Sequence, residues 1–171
     1  MDEDRGVSLA PFIAVVLLSS VIFGSWFLLK QKGGEINFEL VDLDGETVRL
    51  SDFYGEVVVL DFMATWCGPC RYSMVGLVSL YEEFGDQFVL ISIAVDPISD
   101  TVPVLKQWKE TYGATWIHTR DLADPPAGQR FDVTGVPTYV IIDKKGKVRF
   151  KHIGLMSELK LRQEILSLVQ E

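Results

Sequence analysis

Cys67 and Cys70 are the only cysteines in the 171-residue chain, and two residues separate them. They lie in Ala64-Thr65-Trp66-Cys67-Gly68-Pro69-Cys70, after the apolar run Val57–Phe62 and before a stretch with helical periodicity. Positions i and i+3 of a first helical turn bring two sulfurs within bonding reach. The first sulfur also sits where unpaired backbone N–H groups favour negative charge. A thiol moved from a pKa of about 8.5 to about 7 goes from a few per cent thiolate at neutral pH to roughly half. Thiolate is the species that attacks disulfides, so spacing and setting read as a thiol–disulfide exchange site. The competing reading is half of a structural zinc site. That needs two more ligands, and the only histidines, His118 and His152, are far apart and show no ligand spacing. No metal site and no cofactor is expected.

The elements that must position this pair are legible as patterns. Phe38–Val41 and Thr47–Leu50 read as strands joined through Asp44-Gly45, an N-terminal β-hairpin signal. Ser51–Gly55 reads as a turn or short helix. Val57–Phe62 is a nearly continuous apolar run rich in valine, as a strand buried on both faces requires. After Cys67, the residues Met74, Leu77, Val78, Tyr81 and Phe84 recur at helical spacing and should face a core. Phe88–Val95 is a second buried strand, which gives a βαβ unit with a parallel pair and a right-handed crossover. Asp100 is placed to cap a helix reaching Tyr112, with Val104, Leu105, Trp108 and Tyr112 inward and Pro103 in its first turn. Asp121–Gly128, containing Pro125-Pro126, reads as a loop, and Arg120/Asp121 as solvated. Tyr139–Ile142 and Val148–Ile153 flank Lys144-Lys145-Gly146 as a hairpin. Ser157 caps a last helix through Leu161, Ile165 and Leu168. The sum is an α/β domain, a central mixed sheet with helices on both faces.

Composition limits the partners. The net charge of −8 argues against nucleic acid, which needs clustered Lys and Arg. Residues 9–29 carry no charged side chain. About 21 residues rising about 1.5 Å each span about 30 Å, the thickness of a bilayer core. A cleaved signal peptide would begin basic and end at a small-x-small site. The acidic start Met1-Asp2-Glu3-Asp4-Arg5 and the sequence around Phe23-Gly24-Ser25-Trp26 offer neither. The expected organisation is a short tail (1–8), a transmembrane anchor (9–29), a linker (30–35) and one domain (36–171). Trp26, Phe27, Lys30 and Lys32 suit a membrane interface. One extra positive charge after the span would place the domain inside the cell, a bias of a single residue.

Trp66-Cys67-Gly68-Pro69-Cys70 after the first long strand, with Gly135-Val136-Pro137-Thr138 before a later one, resembles the thioredoxin superfamily. Phe38-Glu39-Leu40, Asp44-Gly45, Leu50-Ser51-Asp52-Phe53, Gly55 and Val57–Leu60 narrow the resemblance to the redoxin branch, with its membrane-anchored TlpA-like proteins. Some of those serve cytochrome c maturation. The resemblance covers residues 36–171 and implies a thioredoxin-like fold and a thiol–disulfide oxidoreductase. Cys67 would be the exposed nucleophile, and Cys70, one turn in, the resolving thiol. Asp61, buried at a strand end, matches the aspartate that takes the proton of Cys70. Burial should make that carboxyl easier to protonate than usual. Pro137 matches a cis-proline opposite the cysteines, so that Val136 offers backbone groups to an extended substrate beside Trp66 and Cys67. Gly-Pro between the cysteines goes with reducing members. The implied partners are protein disulfide or thiol substrates, with a membrane thiol relay as electron donor. Family precedent puts the redox domain outside the cytoplasm.

Two departures stand out. No proline follows the second cysteine in Met74-Val75-Gly76, and Pro125-Pro126 is an unusual insertion. A copper-handling binding module on the same fold is the alternative function, since thiolates suit Cu(I). Copper relatives, however, separate their cysteines by three residues and add a placed histidine. Peroxide-reducing relatives carry Thr three positions before the reactive cysteine and a proline upstream. Thr65 stands two before Cys67, and Phe62 and Met63 supply no proline. Trp108 and Trp116 read as core or groove wall, His152 as structural, and Asp96 as a loose match to a functional acid.

Overall fold

In the computed structural model of the chain, the residues described are 37–171. The tail, anchor and linker expected at 1–35 lie outside them, as does Ile36.

The chain runs β1 (Glu39–Val41), β2 (Thr47–Arg49), a 3-10 turn (Leu50–Phe53), β3 (Val58–Met63), α1 (Gly68–Phe84), β4 (Val89–Ala94), α2 (Val102–Tyr112), β5 (Ile117–Arg120), a one-turn α3 (Ala127–Arg130), β6 (Thr138–Ile142), β7 (Val148–Ile153) and α4 (Glu158–Val169). Strands β1 and β2 pair antiparallel, Leu40 opposite Val48. The main sheet has the order β5-β4-β3-β6-β7. Strands β3, β4 and β5 are parallel, and β6 and β7 join antiparallel.

This order explains where the helices go. The β3-α1-β4 and β4-α2-β5 connections step the same way across the sheet, and right-handed crossovers put both helices on one face. That face, with Val59, Met63, Leu90 and Ile141, packs on Met74, Leu77 and Leu80 of α1, Leu105 and Trp108 of α2, and Leu161, Ile165 and Leu168 of α4. The other face, with Leu60, Phe62, Ile91, Ile93 and Val140, is covered by Phe38, Leu40, Val48 and Leu50 and by Ala127 and Phe131. Helices thus flank a central mixed sheet, but unequally: three long ones on one face, a single turn on the other. Strands β3 and β6 are buried along their whole length, because both faces of the sheet are covered there.

Three local expectations change. The N-cap of α2 is Thr101, not Asp100, whose carboxylate is drawn away to Thr65. Val104 turns outward at 39% exposure while Leu105 and Trp108 are buried, so the inner stripe is narrower than the apolar residues suggest. Arg120 and Asp121 are not a solvated pair. Asp121 is buried and accepts hydrogen bonds from the backbone N–H groups of Ala127 (2.7 Å) and Gly128 (2.8 Å), while Arg120 donates to the carbonyl of Pro97. Its carboxylate thus satisfies donors at the start of α3 that the helix itself leaves unpaired.

Candidate active site

The first parallel strand pair, β3 and β4, ends where the cysteines begin, and the C-terminal ends of parallel strands are where open α/β sheets place their sites. The turn after Met63 carries Thr65 and Trp66 into α1, and Cys67 is the helix N-cap, with extended backbone at φ −75°, ψ 114°. Pro69 falls in the first turn, where its missing N–H costs no helical hydrogen bond. Cys67 Sγ accepts a hydrogen bond from the backbone N–H of Cys70 at 3.1 Å. The two cysteines form a disulfide with their Cα atoms 5.2 Å apart.

Cys67 is only 5% exposed and Cys70 2%. The expectation of an open Cys67 is therefore corrected. Its sulfur lies 3.6 Å from the carbonyl oxygen of Val136, which belongs to a loop 69 residues further along the chain. The Val136–Pro137 peptide is cis. Thr138 Oγ1 donates to the carbonyl of Gly135 at 2.6 Å, and Gly154 N–H to that of Pro137 at 2.7 Å, so the loop is held on both sides. Trp66 is 57% exposed beside the disulfide.

A second loop, 96–100 between β4 and α2, grips the residues before Cys67. Trp66 Nε1–H donates to Asp96 Oδ2 at 3.0 Å. The Asp96 carboxyl is held below its ordinary range by hydrogen bonds from Ser99 and, after it, from Trp66. Asp100 is fully buried and accepts from both the backbone N–H and the hydroxyl of Thr65, the former at 3.2 Å. Sequence reasoning missed this role for Asp100. The signal in the sequence is two acids, Asp96 and Asp100, four residues apart just past a buried strand, of which Asp100 by itself suggests only a helix cap.

Asp61 lies in β3 between Ser92 of β4 and Tyr139 of β6, its register partners on either side. It alternates with Leu60 and Phe62, so its side chain points to the face that α1 covers. It is 2% exposed. Burial pushes its carboxyl up to about 7, opposed by the hydrogen bond that Ser92 Oγ donates to Oδ2 at 2.9 Å. The Tyr139 phenol is raised well above its ordinary value by burial first and by the charge of Asp61 second. Past Cys70, Ser73 and Tyr139 reach a groove of about 350 Å³ whose walls include Tyr72, Val75, Met156 and Leu161.

Neither histidine joins the cysteines. His152 Nε2 is 3.3 Å from the carbonyl of Leu155, and His118 is buried on β5, stacked on Trp116. Among the described residues, no group of three or more His, Cys, Asp or Glu side chains converges as a metal site would require. Trp108 and Trp116 are both core.

The AhpC/TSA family profile matches residues 35–151. The chain belongs to the AhpC/TSA family. It is 30% identical over 129 residues to the thioredoxin-like protein YneN of Bacillus subtilis, covering 75% of each chain. It is 29% identical to the thiol-disulfide oxidoreductase ResA of the same organism, covering 92% of this chain and 90% of that one. Among solved structures, the exposed lipoprotein thioredoxin Etrx1 of Streptococcus pneumoniae superposes with a TM-score of 0.64 at 30% identity, over 78% of this chain and all of that one. Family, thioredoxin-like fold and the Cys-x-x-Cys pair together make this family member a thiol–disulfide oxidoreductase.

Proposed function

We propose that this oxidoreductase reduces protein disulfides outside the cytoplasm from a membrane anchor, drawing electrons from a membrane thiol relay. One observation carries the reading: a cysteine pair at a helix mouth whose first sulfur touches the backbone of Val136, before Pro137. Reduced Cys67, as thiolate, attacks a partner disulfide. A mixed disulfide forms, and one partner sulfur leaves as thiolate. Cys70 then gives its proton to Asp61 and attacks Cys67 Sγ. The intramolecular disulfide closes, and the second partner sulfur leaves and takes a proton. Two electrons pass to the partner, and a dithiol of the relay restores the pair.

Asp61 suits the acceptor role because a carboxyl near pKa 7 can take and return a proton at neutral pH. Val136 and Trp66 flank Cys67 and are assigned to holding an extended partner segment, with Pro137 supplying no competing N–H. The Gly68-Pro69 insert supports the reducing direction. The uncharged run 9–29 supports the anchor, and the likeness to an exposed lipoprotein supports the extracytoplasmic face. The TlpA-like resemblance of the sequence supports apocytochrome c as the substrate disulfide.

The test is covalent capture. In membranes, Cys70→Ser should accumulate a mixed disulfide on Cys67 that dithiothreitol releases, and its partner, identified by mass, should be an apocytochrome c or the relay. Cys67→Ser should capture nothing and should lose disulfide reduction. Equal capture by both variants would overturn the assignment.

A further inference from the structure

The oxygen that Asp61 presents is set by two residues behind it. Ser92 Oγ donates to Asp61 Oδ2 at 2.9 Å, and Trp116 Nε1–H donates to Ser92 Oγ at 2.9 Å. All three residues are buried, at 2%, 1% and 2% exposure. An indole N–H only donates, and a carboxylate only accepts. With Trp116 occupying a lone pair of the hydroxyl, the Ser92 proton has one partner in view, Asp61.

The indole itself cannot turn away. Its ring lies between Tyr81, at 5.3 Å between centroids, and His118, at 5.4 Å and 28° from parallel. The backbone carbonyl of Trp116 accepts from Lys109 Nζ at 2.8 Å and lies 3.3 Å from His118 Nδ1. The carbonyl can only accept, so Nδ1 carries the ring proton. Burial pushes His118 down to about 4, so at neutral pH it adds no charge to the cluster.

We propose that Ser92 is a positioning residue for the redox step, its hydroxyl aimed by Trp116 at Asp61 Oδ2 so that Oδ1 is left as the oxygen that takes the proton. This rests on the proton role given to Asp61 above. Beside Asp61 in register stands Tyr139 on β6, raised and neutral; Cys70 of α1 packs in the same core as Tyr139; and behind Trp116 lie His118 on β5 and Lys109 on α2. A hydroxyl donated to a carboxylate favours its ionised form. Removing that donor should therefore make Asp61 hold its proton to higher pH.

The experiment uses the full-length protein in detergent, with Asp61→Asn defining the infrared carboxyl band of Asp61 by difference. Ser92→Ala should move the midpoint of that band up by about one unit. Trp116→Phe leaves the hydroxyl but frees its direction, and should move the midpoint the same way by less. Ser92→Thr should restore it. Mixed-disulfide release should shift its pH profile to alkaline in Ser92→Ala, with mixed-disulfide formation unchanged, and not shift further in Ser92→Ala/Asp61→Asn. An unmoved carboxyl midpoint in both Ser92→Ala and Trp116→Phe overturns the proposal. A moved midpoint with an unmoved release profile supports the network and overturns the proton role of Asp61 instead.

Discussion

Asp100 shows how much one side chain decides near the reactive sulfur. Its carboxylate is fully buried, and its bonds to the N–H and hydroxyl of Thr65 fix the chain two residues before Cys67. A hydrogen bond contributes about 0.5–1.5 kcal/mol net, and a buried donor left alone costs about 1–3. Asp100→Ala should therefore lower stability by about 2 kcal/mol, seen as a drop in the urea midpoint at unchanged m-value. Reduction of a model disulfide should slow as well, because the turn presenting Cys67 loses its tie. Trp66→Phe is the gentler companion: it removes the exposed bond to Asp96 and should leave the unfolding free energy within about 0.5 kcal/mol of wild type.

Among the elements, α2 follows directly on the 96–100 loop that grips Thr65 and Trp66. It stops because Gly113 adopts φ +71°, with its N–H reaching back to the carbonyl of Glu110. Nothing lies within 4 Å of where a Cβ would sit, so a substitution meets backbone strain alone. Gly113→Ala should cost about 1 kcal/mol, and Gly113→Asn less, because asparagine tolerates the left-handed region better. Paired urea melts of the two variants check the order. Strand β5 and the single turn α3, which begins at Ala127 inside the stretch expected as a loop, are the elements that local patterns do not announce. Ile117-His118-Thr119-Arg120 has neither an apolar run nor clean alternation, and it becomes a strand by adding in parallel to β4, Ser92 opposite His118.

At the scale of the molecule, two buried groups oppose each other as pH changes. Asp61 moves from 3.8 to about 7 on folding. Its raised value stabilises the fold below pH 4, and that contribution is lost as pH rises through 7. At about 1.4 kcal/mol per unit it is on the order of 4 kcal/mol. His118 moves from 6.5 to about 4. Its neutral form is stabilising above pH 6.5, and that contribution, on the order of 3 kcal/mol, is lost as pH falls through 4. Between pH 4 and 6.5 the two slopes cancel. Asp61→Asn should therefore be more stable than wild type at pH 8 and should expose the slope of His118, with urea midpoints rising from pH 4 to 6.5. Along the chain, spacing alone carried the redox pair, the buried strands β3 and β4, the inner face of α1 and the last helix. Side-chain periodicity and a first-turn i, i+3 geometry are properties of neighbours in sequence. The cover over Cys67, the grip of Asp100 and the line from Trp116 through Ser92 to Asp61 were decided by tertiary structure. Their partners stand 69, 35, 24 and 31 residues apart, and no local period links residues that meet only when strands and loops from separate parts of the chain are packed together.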